Sequence, residues 1–246
     1  MKMKRLQTFM SALAILAAVS CNRMQQAGEG QVSFGISSID NVTDVTRSNV
    51  SDYTTLPGKD AFSIKVTDAS AQTVYEGRIT DWVPEENVLI AGEYSVSAEY
   101  GRIEDEGFDK PYFIGARTFT VNGGETSEVS VPVSLGNTLV RVECTDAFRN
   151  YYRSWSFKLS RGGADIVSFA EGETKAAFVD GYRFTLSGVM EAETKSYTFS
   201  KEYSSLEPAT AYTFVFDVTN AGSATITISF NNSVETVELG DIELND

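Results

Sequence analysis

Histidine is absent from all 246 residues. That removes hydrolases that activate a serine or cysteine through a histidine base, and most zinc and iron centres. Cysteine is nearly absent: only Cys21 and Cys144 occur. Cys144 ends the run Leu139-Val140-Arg141-Val142-Glu143-Cys144, where a small buried hydrophobe is expected rather than a nucleophile. Positive charge is scarce, with 20 Lys and Arg against 34 Asp and Glu. Lys2, Lys4 and Arg5 lie in the N-terminal segment, which leaves 17 basic residues beyond it. A body this acidic repels phosphate backbones and anionic headgroups, so nucleic acid is not an expected partner, and no cofactor is expected. The apolar run from Phe9 to Val19 is too short to span a bilayer.

What is present upstream is an address. A positive start, the apolar run and the small residues before Cys21 make residues 1-20 an export signal. Leu16-Ala17-Ala18-Val19-Ser20-Cys21 resembles the lipobox of bacterial lipoproteins, with Ala18 where that motif more often has Leu. The resemblance implies lipid on Cys21 and a membrane anchor, which leaves Cys144 without an intrachain partner and the chain without a disulfide framework. Residues 21-30 then read as a tether, and the rest of the chain is long enough for two domains.

From Val32 the pattern is alternation, the mark of half-buried strands. Val32, Phe34 and Ile36 share one face. Phe62, Ile64 and Val66 share another, and Thr73 to Tyr75 returns as a hairpin partner. Residues 40-60 read as a loop. Ala91 to Tyr100 alternates, 101-111 forms an acidic loop, and Arg117 to Val121 meets the turn dipeptide Asn122-Gly123 before Glu128 to Val133 returns. Pro132 lacks a donor, which suggests an edge or a finishing strand. Phe148, Tyr151, Tyr152 and Trp155 are spaced i, i+3, i+4, i+7 and predict one short helix. Alternating strands then resume to Leu239, with Asn231-Asn232 as the last turn.

Two rounds of this pattern look like degenerate copies. Ser63 to Thr67, with Ala71 and Val74, matches Ser156 to Ser160, with Ala164 and Val167, at a constant offset of 93 residues. Ala91 to Val96 matches Ala209 to Phe214, and each round closes on an Asn-initiated hairpin. The expected fold is all-β: two tandem antiparallel β-sandwiches, immunoglobulin- or transthyretin-like, over 31-135 and 136-246, with one short helix in the second.

Three groups are candidates for function. Trp82, Tyr112, Phe113, Tyr151, Tyr152 and Trp155 lie in or beside loops, where aromatic faces stack on sugars or else pack the ends of the sandwiches. Glu104, Asp105, Glu106 and Asp109 group oxygen donors as calcium requires, without the order of the common calcium loop, and read otherwise as a solvated acidic loop. Carboxylates are plentiful, but no spacing marks the facing pair, roughly 5 to 10 Å apart, of a glycosidase. No catalysis is expected.

The segments Val45-Thr46-Arg47, Asp60 to Val66, Ala91 to Ala98, Lys110 to Gly115, Phe119 to Val121, Val140 to Val142 and Asp146 to Tyr151 resemble the Bacteroidetes lipoprotein family called domain of unknown function 4493. That family resembles the fimbrillins and cell-adhesion lipoproteins of the same bacteria. The resemblance implies an outer-membrane lipoprotein held through Cys21, with a surface adhesion or fimbria-like role toward a glycan or protein partner. It also implies self-assembly by strand donation, with Arg47 as the processing site. A periplasm-facing structural lipoprotein is the alternative, and a carboxylate-dependent polysaccharide-acting enzyme comes third.

Overall fold

The computed structural model describes residues 28–38, 52–218, 225–230, 233–238 and 240–242. Lipidation at Cys21, the signal, most of the tether, the processing site Arg47 and the Asn231-Asn232 turn lie outside the described residues.

The first half contributes β1 (Glu29–Ser38), β2 (Ser63–Asp68), β3 (Thr73–Arg78), β4 (Leu89–Ile90), β5 (Gly92–Tyr100), β6 (Gly107–Phe108), β7 (Phe113–Val121) and β8 (Thr126–Leu135). Seven of these form one sheet in the order β3-β2-β5-β7-β8-β1-β4. It folds over on itself, because β7 and β8 pair only where Phe113 and Ile114 meet Leu135 and Ser134. Between the two layers lie the alternating residues of the sequence pattern, among them Val32, Phe62, Ile64, Val96 and Val131.

The second half adds β9 (Thr138–Cys144), α1 (Asp146–Tyr151), β10 (Ser154–Arg161), β11 (Ala164–Phe169), β12 (Ala177–Val179), β13 (Arg183–Glu191), β14 (Ser196–Ser204), β15 (Ala211–Asp217), β16 (Thr225–Phe230), β17 (Ser233–Glu238) and β18 (Gly240–Ile242). Its back sheet is β11-β10-β13-β14-β18 and its front sheet β17-β16-β15-β9-β12-β6. Phe148, Phe157, Leu159, Phe184, Phe214 and Phe216 fill the space between them.

The strand pairings show that the second half repeats the first. β1 lies parallel to β8 and antiparallel to β4, and β9 lies parallel to β15 and antiparallel to β12. The series β3-β2-β5-β7 and β11-β10-β13-β14 match strand for strand. Even the register slip recurs, between Val66 and Thr67 in β2 and between Leu159 and Ser160 in β10. That is the same offset of 93.

Four expectations are corrected. The sandwiches are antiparallel except for one parallel pair each, β1 with β8 and β9 with β15. β5 corresponds by pairing to β13, so the match of Ala91 to Val96 with Ala209 to Phe214, which belongs to β15, is a coincidence of alternating strands. Asn122 opens the turn between the antiparallel neighbours β7 and β8, its carbonyl accepting the Glu125 N–H, but not as a tight Asn-Gly hairpin: the strands pair only at their far ends, and the positive φ falls on Gly124. Pro132 is inside β8, not at its end. The Gln31 N–H donates to the Glu125 carbonyl, so the alternate residues of β8 that bond β1 are the odd-numbered ones. Pro132 sits in the other phase and removes no bond there.

The halves share material. The acidic loop contains β6, which pairs with β12 and extends the front sheet of the second half. Phe108 of β6 meets Phe169 edge-on at 5.5 Å. On the other side, Leu139, Phe178 and Ala211 of the front sheet pack into the core of the first half. A sheet buried on both faces reads as a continuous apolar run, which is why Thr138 to Val140 loses its alternation. The expected boundary at Leu135-Gly136-Asn137 falls between β8 and β9. Asn137 is fully buried, taking the Tyr112 N–H on its Oδ1 and the Ala209 N–H on its carbonyl.

Candidate functional site

Each half of the repeat has a gap in its side, at the same place. β4 pairs with β1 only up to Gly30, and β12 pairs with β9 only up to Val140. Beyond those residues no strand among the described residues lies against the outer edges of β1 and β9. In β9 the Leu139 N–H donates to Thr210 and the Thr145 N–H to Phe216, so odd-numbered residues face β15. The main-chain groups of Val142 and Cys144 therefore face outward, past the end of β12. In β1 the same phase turns Val32 and Phe34 outward.

The two gaps are finished differently. In the first half the indole N–H of Trp82 donates to the Val32 carbonyl at 2.6 Å. The ring is 7% exposed and wedged between Phe34 and Tyr75, each at 5.0 Å between centroids. What remains is a cleft of 350 Å³ along Ser33, Phe34 and Thr80. In the second half the equivalent connection carries Glu171, Gly172 and Glu173 and no aromatic residue. The cleft there is 470 Å³, bounded by the edge from Arg141 to Cys144, by α1 through Arg149, and by the connection from Phe169 to Thr174. Trp155, Phe157 and Phe169 line its apolar side.

The rim carries both signs of charge. Arg141 pairs with Glu143 at 2.8 Å and donates to Thr213 Oγ1, while its Nε is buried without a hydrogen-bond partner. Arg149 pairs with Asp146 at 3.4 Å. Glu173 turns its carboxylate onto the Thr174 and Lys175 amides at 2.9 and 2.8 Å, which folds this connection on itself. Burial pushes the Cys144 thiol up to about 12, with Arg149 opposing and Glu171 reinforcing the shift. A thiol so protonated is the small hydrophobe expected from its sequence context, not a nucleophile.

The six candidate aromatics do not converge. Trp82, Phe113 and Tyr152 are 7%, 3% and 2% exposed, so they pack cores and show no stacking face. Tyr112 is half-buried against Gly136 and hydrogen-bonded to Glu99; burial, then Glu99 and Glu104, raises its phenol. Tyr151 sits edge-on to Tyr152 at 4.8 Å. Trp155 alone of the six lines the roomier cleft. Its helical spacing was misleading: α1 ends at Tyr151, capped at its start by Thr145, and Trp155 belongs to β10, edge-on to Phe148 at 5.5 Å.

The acidic cluster is corrected too. Glu106 is bidentate with Arg161 at 2.6 and 3.1 Å and accepts the Asp180 N–H at 2.7 Å. Asp109 pairs with Lys175 and Glu104 with Arg102. Their oxygens go to cations and amides, two of them across the halves, and among the described residues no three such side chains are grouped to hold a metal. No helix among the described residues is long and apolar enough to cross a membrane.

Sequence reasoning missed the β9 edge itself, because its exposure depends on where β12 stops. A signal exists. The offset between copies is 92 at the end of β3, where Gly77 corresponds to Phe169, but 88 at β4, where Leu89 corresponds to Ala177, so the second connection is four residues shorter and has lost its tryptophan.

Fold and site thus define a class: a repeated β-sandwich protein in which a tryptophan narrows the gap along a strand edge of one copy and leaves the other wider. The chain belongs to the family of domain of unknown function DUF4493, whose model matches residues 28–246. No curated protein matches it. Among solved structures it is similar to a fimbrial assembly protein from Parabacteroides distasonis (9% identity, 73% of this chain and 90% of that one, TM-score 0.43). It is also similar to a putative cell adhesion protein from Bacteroides ovatus (14%, 89% and 99%, 0.42). A third is the fimbrial anchor protein Mfa2 from Porphyromonas gingivalis (10%, 84% and 98%, 0.40). At these identities and scores the likenesses carry no functional argument.

Proposed function

We propose that the chain is a non-catalytic adhesion module, lipid-anchored to the outer membrane through Cys21 and displayed at the cell surface, that engages its partner in the cleft of the second half. The observation that carries this reading is the difference between the copies: Trp82 takes the Val32 carbonyl and narrows the gap of the first to 350 Å³, while the second leaves an aromatic-lined, charge-rimmed opening of 470 Å³. Recognition needs such a surface and no proton-transfer pair. The acidic loop, the other grouping of carboxylates singled out in the sequence, is engaged in holding the two halves together.

Proteinase K applied to intact cells tests the display. The body is expected to disappear while a periplasmic control protein survives. Protection of the body would place it under the outer membrane and sink the adhesion reading in favour of a periplasm-facing structural lipoprotein.

Strand donation has one supporting observation. β1 is the strand that precedes Arg47, and its main partner is β8. Cleavage at Arg47 would detach β1 and leave the β8 edge for a neighbour's strand. A mature mass that always begins at lipidated Cys21 would count against it.

A further inference from the structure

We propose that the cleft of the second half receives an extended polypeptide strand, laid antiparallel to β9 along Val142 and Cys144 in line with β12. The inference rests on the reading of this cleft as the adhesion site, and names the class of its partner.

The repeat supplies the reason. In the first half, the first outward carbonyl past the end of β4 is that of Val32, and the Trp82 indole satisfies it. The corresponding carbonyl past the end of β12 is that of Val142, and no strand or indole among the described residues meets it. An internal strand that shows its main-chain donors and acceptors to a cleft is a template for another strand. β12 already supplies the direction: continued backward from Ala177 opposite Val140, its line passes Val142 and Cys144. This chain does not follow that line, because Glu173 has taken the Thr174 and Lys175 amides.

The side chains fit the same occupant. Side chains of an added strand alternate between two faces. Those pointing inward meet Trp155, Phe157 and Phe169, so an apolar residue is required there. Those pointing outward lie by Arg141 and Glu143, which favours polar residues. The partner is therefore an extended segment with alternating apolar and polar residues.

The test uses the full chain in detergent micelles and a panel of synthetic peptides of about eight residues, an ordinary strand length. Val, Ile, Phe or Thr occupy alternate positions, with Ser and Lys between them. Binding is read as the change in tryptophan fluorescence that Trp155→Phe abolishes. The binding peptide is then N-methylated at every second residue, in either phase. Methylation in the phase facing β9 is expected to weaken binding about tenfold or more, since it removes two or more main-chain bonds. The other phase should change it less than about twofold. Equal sensitivity in both phases would overturn the strand. If the peptides leave Trp155 unchanged while a glycan panel perturbs it, the strand proposal falls and the adhesion reading stands. If neither panel perturbs it, both fall.

Discussion

The two halves are one design executed twice, and the differences lie in what each does with its burial. The first half spends a tryptophan to narrow the opening in its side. The second leaves the side open, and instead puts its phenols and its thiol deep in a larger aromatic core: Tyr152, Tyr203 and Cys144 are all buried there. Copies of a fold diverge where the fold does not need them, and the connection before the fourth strand of each repeat is such a place. Strand order and even the bulge are kept; the plug is not.

This comparison can be strained from both sides. The largest effect should come from alkali. In the folded chain burial holds the Tyr203 phenol and the Cys144 thiol at about 12, against ordinary values of 10.0 and 9.0, and pushes Tyr152 up as well. Unfolded, these groups give up protons that the folded state keeps, so their contribution is intact below pH 9 and is lost as pH rises through 12. The half-exposed Tyr75 and Tyr94 of the first half are raised too, by burial and then by Asp81 and Asp68. Amide exchange followed from pH 9 upward should show β10, β13 and β14 opening before β2 and β5, and simultaneous loss would refute the contrast.

Next, Trp82→Ala should cost about 3–5 kcal/mol in urea unfolding, since it removes a buried ring and leaves a cavity. It should also make the first half resemble the second, with the edge of β1 newly accessible to exchange at Val32. A cost under about 1 kcal/mol would mean that Trp82 is no plug.

Glu106→Ala severs the strut between the halves. Its partner Arg161 keeps 35% of its side-chain exposure, so the expected loss is about 2 kcal/mol, below the full range for buried pairs. The β6 amides should exchange faster while the β2 and β5 amides hold. The smallest change is Thr145→Ala, which removes the cap on α1 and a bond to Asp217. A loss of about 1 kcal/mol is expected, confined to the second half.

The strands were legible because alternation is a local signal. Val32, Phe62, Val96 and Phe157 point inward as their spacing required. The short pieces were not: β4, β6, β12 and β18 have two or three residues each, too few to show a period. The acidic loop hid a strand because Glu106 and Asp109 look like solvated charge until Arg161 and Lys175, more than fifty residues away, are placed against them. The aromatics failed as a group for a related reason. Lying beside a loop says little about exposure, since Phe113 and Trp155 share that trait and only one of them faces a cleft. An open strand edge has no composition at all; it is a fact of pairing.

The parallel ladder between β1 and β8 bears on how such a molecule carries load. Tension between the start of β1 and anything held at β9 enters at Glu29 and leaves through Leu135, which lie at opposite ends of the ladder. The pairs from Gln31 opposite Thr126 to Ser38 opposite Val133 are then pulled in shear, all together, rather than peeled one after another. The grip lasts as long as the whole ladder does.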